Sequence, residues 1–184
     1  MSKLLQNKKG IIFGALDERS IAWKVAEKVH EQGGEFVLSN APVAMRMGKI
    51  NELAEKCGTI LVPADATSME DLGKLFDTAT DRFGKLDFVL HSIGMSPNVR
   101  KNKSYTDLNH DWFLKTLDIS GLSFHKVLQT AYSKDAMNDW GSILALSYIA
   151  AQEAYPFYSD MADAKSVLES IARSFGYHYG VKNK

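Results

Sequence analysis

The chain has 184 residues, 45% of them apolar, and this length and composition suit one domain with a sizeable core. Its 22 lysines and arginines balance 22 aspartates and glutamates, so the charge offers no footprint for nucleic acid or an anionic membrane surface. No stretch is apolar over the length needed to cross a bilayer. We therefore expect neither nucleic acid nor membrane as a partner.

The single cysteine, Cys57, cannot form an internal disulfide, and the five histidines show no spacing typical of metal ligands. The single cysteine favours a reducing compartment. The absence of metal-ligand spacing predicts that no metal is bound. The amino terminus lacks the apolar core of a signal peptide. The sequence therefore predicts a cytoplasmic protein.

Short apolar runs alternate with helical patterns along the whole chain, which is typical of a parallel sheet flanked by helices. The five predicted strands are Gly10–Phe13, Phe36–Leu38, Thr59–Val62, Leu86–Leu90 and Ser142–Ser147. Pro63 cannot donate to a strand ladder, so it predicts that the third strand lies at an edge of the sheet.

Helices are predicted between these strands from apolar residues spaced three and four apart. They cover 20–32, a Met-rich segment up to Cys57, 67–84, 112–132 and a last helix that follows Tyr158. Thr67–Glu70 has the pattern of a capping box at the start of the third helix. With right-handed crossovers these elements predict an α/β fold over 1–184, a single Rossmann-like domain with a doubly wound parallel sheet and helices on both faces.

In such a sheet the ligand crevice lies at the carboxyl ends of the strands. Small or polar residues follow four of the predicted strands, namely Gly14, Asp65, Ser92–Gly94 and Ser147–Tyr148. Their coincidence at one edge favours a binding site there. Taken singly, Asp65 is also typical of a local turn, and Ser92–Gly94 of small residues that close a strand.

The loop after the first strand, Gly14–Ser20, lacks the three-glycine dinucleotide fingerprint. One interpretation is a plain turn in which Ser20 caps the next helix. The other is a pyrophosphate site, in which Gly14 lets the backbone approach while Ser20 and the first helical amides donate hydrogen bonds.

Tyr158 and Lys165 stand seven positions apart around the start of the last predicted helix. Seven residues make nearly two helical turns, so we expect both side chains on one face. A phenol donor and a nearby ammonium can together stabilise a developing oxyanion. The same spacing also occurs in ordinary amphipathic surface pairs, so both interpretations stay open on spacing alone.

Together these motifs resemble the bacterial enoyl-acyl-carrier-protein reductases, a divergent branch of the short-chain dehydrogenase/reductase family, over essentially the whole chain. The resemblance rests on Gly14–Ala22, on His91–Gly94, and on Ser147–Tyr148 followed by Tyr158 and Lys165. Ordinary members of the wider family keep the tyrosine and lysine closer together and carry a glycine-rich cofactor loop.

The resemblance implies reduction of trans-2-enoyl thioesters by NADH, with acyl-carrier protein delivering the substrate to a homotetramer. It implies that Tyr158 donates to the enolate oxygen, that Tyr148 supports it, and that Lys165 holds the nicotinamide ribose. The other implied contacts are Gly14, Ser20 and Ile21 in the cofactor loop, Asp65 and Ala66 at the adenine, Ile93 near the nicotinamide and Ser96 near the acyl chain.

Asn40 and Ala41, after the second strand, offer neither a carboxylate for a ribose hydroxyl nor a base for a 2′-phosphate. NADH is therefore preferred, while Arg46 keeps NADPH as an alternative. Members of the family continue into further strands, so we expect the chain to be incomplete at its carboxyl end and to lack the last strands of the sheet. Two other functions stay open: an ordinary short-chain carbonyl or alcohol dehydrogenase, and a dinucleotide-binding module without turnover.

Overall fold

The computed structural model describes residues 3–46 and 48–182, so the predicted domain ends at 1 and 184 lie outside the described residues. The strands in this part of the chain are β1 (Lys9–Phe13), β2 (Glu35–Asn40), β3 (Ile60–Pro63), β4 (Leu86–His91) and β5 (Met137–Ala145). They form one parallel sheet in the order β3-β2-β1-β4-β5. The doubly wound prediction is confirmed, and β3 lies at an edge as Pro63 predicts.

Helices connect the strands and cover both faces of the sheet. They are α1 (Ile21–Glu31), α2 (Pro42–Met45), α3 (Ile50–Cys57), α4 (Met69–Phe83), α5 (Pro97–Arg100), α6 (His110–Leu117), α7 (Ser123–Ser133) and α8 (Asp160–Val181). Short 3-10 turns form at Tyr105–Asp107 and Ile149–Ala151. Within the described residues, no helix is both long enough and apolar enough to span a membrane.

The core lies on both faces of the sheet, because successive residues of a strand point to opposite sides. Ile11 and Phe13 pack with residues of α4 and α7 on one face. Ile12 packs with residues of α1 and α3 on the other face. A third cluster joins α7 to α8, with Phe124 and Leu168 among its buried members. The strand ends are thereby held rigidly from both sides.

The predicted helix over 112–132 is divided in the structure. A π-helical turn, Asp118–Leu122, separates α6 from α7. Such a turn inserts an extra residue into the helical repeat, and an apolar spacing pattern does not register it. An ideal Cβ on Gly121 would lie only 2.8 Å from the Ala164 carbonyl oxygen, so this glycine permits the close approach of α8.

The predicted capping box at Thr67–Glu70 is wrong by one residue. Ser68 is the residue that caps α4, and its side chain accepts a hydrogen bond from the Asp71 amide. Thr67 instead donates its hydroxyl to Asp65 Oδ1 at 2.8 Å. The hydroxyl of Thr67 therefore belongs to the preceding turn and does not serve the helix.

The fifth strand differs from its prediction at both ends. It begins at Met137, where a bulge separates the pairs Leu86–Met137 and Phe88–Ser142, and Trp140 in this bulge has a φ of 61°. It ends at Ala145 because the chain then turns toward α8, where Ser147 Oγ donates to Glu169 Oε1 at 2.7 Å. A bulge and a side-chain contact of this kind leave no trace in apolar periodicity.

Candidate active site

The carboxyl ends of β4 and β5 are joined by one buried side chain, that of Lys165 on α8. Its Nζ donates to the carbonyl oxygen of Ile93 at 3.0 Å and to that of Leu146 at 2.8 Å. An ammonium has three N–H donors, so these two bonds leave one for a ligand. Gly94 lies next to this nitrogen, since an ideal Cβ on Gly94 would be 3.9 Å from Lys165 Nζ.

Burial controls the charge of Lys165. The residue is only 5% exposed, and the removal of its ammonium from water lowers its pKa to about 8. The group is therefore still mainly protonated at neutral pH. It places a positive charge at the predicted ligand edge, held by two backbone carbonyl oxygens.

Tyr148 and Tyr158 lie against each other at the same edge. Their ring centroids are 4.3 Å apart, with the ring planes tilted by 30°. Burial raises the pKa of Tyr158, and a hydrogen bond with Tyr155 is the main cause of the raised pKa of Tyr148. Both phenols are therefore protonated at neutral pH and can donate hydrogen bonds.

Tyr158 lies close to the start of α8, as predicted, but not on the helix itself. The helix begins at Asp160, and Ser159 has a φ of 51°, which interrupts the helical geometry. The prediction that Tyr158 and Lys165 share a helix face is therefore wrong in its geometry. The two residues are linked by another route, since Lys165 binds the Leu146 carbonyl and Tyr148, two residues further on, packs on Tyr158.

Asp160 is a fully buried carboxylate that the sequence analysis misses. It accepts hydrogen bonds from Ser96 Oγ at 2.6 Å, from Asn98 Nδ2 at 2.7 Å and from Thr116 Oγ1 at 2.8 Å. The only sequence signal is its position in the first turn of a helix, where an acidic residue is common at an exposed site too. Nothing in the sequence alone indicates its burial.

Ser96, predicted near the acyl chain, has its hydroxyl turned into the protein. The side chain is 3% exposed, donates to Asp160 and accepts from the Val99 amide at 3.0 Å. Ile93 keeps a partly exposed side chain, while its carbonyl holds Lys165. Of Ser96 and Ile93, it is therefore Ile93 whose side chain is accessible from the carboxyl ends of the strands.

The loop that follows β1 is held by its own side chains. Ser20 Oγ donates to the Asp17 carbonyl oxygen at 2.6 Å and accepts from the Leu16 amide at 3.1 Å. Ser20 occupies the N-cap position of α1, as the cap interpretation predicts, but its side chain makes no capping hydrogen bond. Ile21 is 61% exposed at the start of α1, where the helix amides face the strand ends.

The presence of a glycine at position 14 is explained by a close approach of two backbone segments, which the sequence does not reveal. Its φ is +90°, and an ideal Cβ would lie 1.9 Å from the Ser92 carbonyl oxygen. The loops after β1 and β4 therefore meet at this glycine. A side chain there would separate the two loops, whatever ligand they hold.

Asp65 and Ala66 follow β3 in a tight turn. Asp65 Oδ1 accepts from the Thr67 amide at 2.9 Å, and the Asp65 amide donates to Asp71 Oδ2 at 3.0 Å. Asp65 is exposed and Ala66 is buried. The turn interpretation of Asp65 is therefore confirmed, and a contact with adenine stays a prediction.

His91, at the end of β4, is another buried polar residue at the site. Its Nε2 lies 2.8 Å from Ser123 Oγ, whose own proton goes to the Ile119 carbonyl oxygen, so Nε2 carries the imidazole proton. Burial, followed by repulsion from Lys165, lowers the pKa of His91 to about 3. His91 is a neutral structural residue beneath the ammonium.

The doubly wound sheet thus carries a tyrosine pair and a buried lysine at its strand ends. The profile of the family described as Enoyl-(Acyl carrier protein) reductase matches residues 14–183. Because this match covers most of the chain, the chain belongs to the enoyl-(acyl carrier protein) reductase family.

Individual relatives agree with this assignment. The chain is 34% identical over 180 residues to Enoyl-[acyl-carrier-protein] reductase [NADH] 1 of Rhizobium meliloti (strain 1021), a match that covers 97% of this chain and 65% of the relative. The crystal structure of FabI from Alistipes finegoldii is similar with a TM-score of 0.95 and 64% identity, over 100% of this chain and 70% of that one. The FabI-NADH complex from the same organism has a TM-score of 0.96 and 65% identity, over 98% and 64% of the two chains. The chain thus spans about two thirds of the length of these relatives.

Proposed function

We propose that this chain is the dinucleotide-binding and catalytic part of an enoyl-acyl-carrier-protein reductase. Its reaction is the reduction of a trans-2-enoyl thioester by NADH, a step of fatty acid elongation. The observation that carries the proposal is that Lys165 binds the Leu146 carbonyl while Tyr148, two residues further along the chain, stacks on Tyr158. The names of the relatives, among them a FabI-NADH complex, support the reaction and the cofactor.

The residues of the site fit a nicotinamide nucleotide. Lys165 has one N–H left for the ribose hydroxyls, and Gly94 beside it is exposed and has no side chain to fill the space. The nucleotide supplies the hydride when it is bound. The neutral side chain of His91 beneath Lys165 adds no competing charge, because its pKa is lowered to about 3.

Tyr158 donates a hydrogen bond to the developing enolate oxygen in this proposal. Hydride addition at C3 of the enoyl thioester moves negative charge to the thioester oxygen, and a phenol donor placed there stabilises that charge. The raised pKa of Tyr158 keeps its proton in place at neutral pH. Tyr148 packs against the ring of Tyr158 and fixes its orientation.

The test is NADH oxidation with crotonyl thioester, followed through the nicotinamide absorbance. Turnover with the enoyl thioester and none with simple ketones is the expected result. Turnover with ketones alone would replace the proposal with an ordinary carbonyl dehydrogenase. Saturable NADH binding with no oxidation by either substrate would favour a dinucleotide-binding module.

Acyl-carrier protein as the carrier of the substrate is part of the same proposal, and the names of the relatives support it. A homotetramer and a cytoplasmic location stay predictions from the sequence. NADH is preferred over NADPH, since Asn40 directs its side-chain amide to the Ala15 carbonyl oxygen at 2.9 Å and offers no cationic group to a 2′-phosphate. Comparison of NADH and NADPH in the same assay tests this preference.

A further inference from the structure

Asp160 is completely buried, and the hydrogen bonds to its carboxylate come from uncharged side chains. Ser96 Oγ and Asn98 Nδ2 donate to its two oxygens at 2.6 and 2.7 Å. Thr116 Oγ1 also lies 2.8 Å from Asp160 Oδ2 and shares its one proton between this oxygen and the Trp112 carbonyl oxygen. A buried carboxylate is costly unless hydrogen bonds compensate for the lost water. Donors that converge on both oxygens fit a group that only accepts, and a carboxylate is such a group.

The donors belong to separate segments of the chain. Ser96 and Asn98 lie in the segment after β4, and Thr116 lies on α6. Asn98 extends the network further, since its Nδ2 also donates to the Asn109 carbonyl oxygen and its Oδ1 accepts from the Asn109 amide, both at 3.1 Å. Asp160 thereby ties the β4 loop and α6 to the start of α8.

The turn that carries Tyr158 depends on this tie. Between Tyr158 and Asp160 stands Ser159, a buried residue with a φ of 51°, a conformation that L-residues rarely adopt. The backbone bonds that close the turn are long, with Met161 N to Tyr158 O and Ala162 N to Ser159 O both at 3.2 Å. Strained backbone persists where surrounding contacts hold it, and the side chain of Asp160 makes the strongest contacts here.

We propose that Asp160 is a positioning residue that sets the place of the Tyr158 hydroxyl by fixing the turn at Ser159 to the β4 loop and α6. It contacts neither substrate nor cofactor and acts through the backbone between positions 158 and 160. Its effect on turnover rests on the proposed reductase function. The effect of Asp160 on the order of the turn does not depend on that function.

The first test is a double-variant cycle with Asp160→Asn and Tyr158→Phe. An asparagine places an NH2 group against converging donors, so at least one bond is lost with little change of volume. We expect kcat to fall about tenfold or more while the Kd of NADH stays within about twofold, because the phenol contact forms mainly in the transition state. In the Tyr158→Phe background the same change should have almost no further effect on kcat. Unchanged kcat in Asp160→Asn, or losses that multiply in the double variant, would overturn the positioning role.

The second test removes a donor instead of the carboxylate, in case Asp160→Asn does not fold. Thr116→Val deletes the hydroxyl at nearly constant shape, and Thr116→Ser keeps it. Thr130→Val is the matched control, since Thr130 is also buried and donates to the carbonyl four residues earlier, but it lies on α7 away from Asp160. We expect a lower kcat in Thr116→Val, recovery in Thr116→Ser, and lower stability without loss of kcat in Thr130→Val. Equal kcat in all three variants would contradict the proposal.

Amide hydrogen exchange separates this proposal from the reductase function. If the wild-type chain reduces no enoyl thioester, the proposed function is wrong. Hydrogen exchange would still show whether Asp160 holds the β4 loop and α6 to the start of α8. We expect faster exchange in Asp160→Asn at 95–99 and 156–161 together, with β1 unchanged. An increase confined to one of the two segments, or spread over the whole domain, would show that Asp160 does not join them.

Discussion

Tyr148 and Tyr158 stack with their ring centroids 4.3 Å apart, and Tyr155 meets Tyr148 edge-on at 5.5 Å. Tyr148 is 37% exposed, whereas Tyr158 is partly buried behind it. The outer ring thus shields one side of the inner one. This arrangement gives Tyr158 a fixed direction and a protonated hydroxyl, the two properties that an oxyanion donor needs.

Tyr158→Phe should lower kcat on crotonyl thioester and leave NADH binding nearly unchanged. The deleted hydroxyl serves charge that develops in the transition state, and loss of one such donor costs roughly a hundredfold in kcat. Steady-state kinetics and calorimetry measure the two quantities. Tyr177→Phe is the control, because Tyr177 is 70% exposed on the distal part of α8. A wild-type kcat in Tyr158→Phe would remove Tyr158 from the reaction.

Lys165→Met should weaken NADH binding, because the ammonium carries the one N–H that the Ile93 and Leu146 carbonyls leave available. Methionine keeps the length of the side chain, so the pocket retains its shape. Lys134→Met is the control, since Lys134 forms a surface pair with Asp77. We expect the Kd of NADH to rise about tenfold or more for the first variant, as for the loss of a charged hydrogen bond. Calorimetry that gives equal Kd values for both variants would contradict the assignment.

The depressed pKa of Lys165 predicts a dependence of stability on pH. The folded pKa is about 8 and the unfolded value is 10.5, so between these values the unfolded chain binds more protons. The free energy of unfolding should therefore rise with pH across this window, by at most about 3 kcal/mol from this group. Below the folded pKa both states are protonated and the cost of burying the charge is present in full.

Urea unfolding near the two ends of this window, with Lys165→Met as the reference, isolates the contribution. Tyrosines that ionise in the same range affect both proteins alike, so the difference between them reports on Lys165. The wild type should gain stability relative to the variant as pH rises. A constant difference would show that the lysine is not desolvated in the folded state.

Gly14→Ala should destabilise the fold even without cofactor. The added Cβ would lie 1.9 Å from the Ser92 carbonyl oxygen, at a φ of +90° that alanine adopts poorly. We expect a loss of roughly 2 kcal/mol or more in the free energy of unfolding, from strain and displacement of the β4 loop. Gly176→Ala is the matched control, because an ideal Cβ there meets no atom within 4 Å on α8. The control should be neutral or slightly stabilising, and an equally stable Gly14→Ala would refute the proposed clash.

The sheet could be predicted because each strand is a short apolar run between helical patterns, and Pro63 marks its edge. The same reasoning placed the carboxyl ends of the strands, and with them Ser147–Tyr148, at one edge. It failed where geometry depends on single contacts. The π-helical turn at Asp118–Leu122 is invisible to apolar spacing, and the seven-residue separation implied a shared helix face although Tyr158 precedes the helix.

For the candidate site, the sequence indicates residue types but not the hydrogen-bond partners that the structure gives them. Tyr158 and Lys165 were found from their chemistry and from the family resemblance. Ser96 was expected near substrate, but its hydroxyl donates to Asp160. The partners of a buried polar group come from distant segments, so a linear pattern indicates neither the burial of Asp160 nor the donors that surround it.

The bulge in β5 limits which part of this strand can pair with a further strand. Within the described residues β5 has a neighbouring strand on one side only, and such an edge is a template for joining strands of other molecules. Trp140, 96% exposed and with a φ of 61°, breaks the strand so that regular pairing with β4 resumes only over Ser142–Ala145. An incoming strand would find a short regular stretch next to a protruding indole. Over the described residues, the bulge therefore shortens the regular stretch of β5 with which a further strand could pair, and it leaves one large aromatic side chain in water.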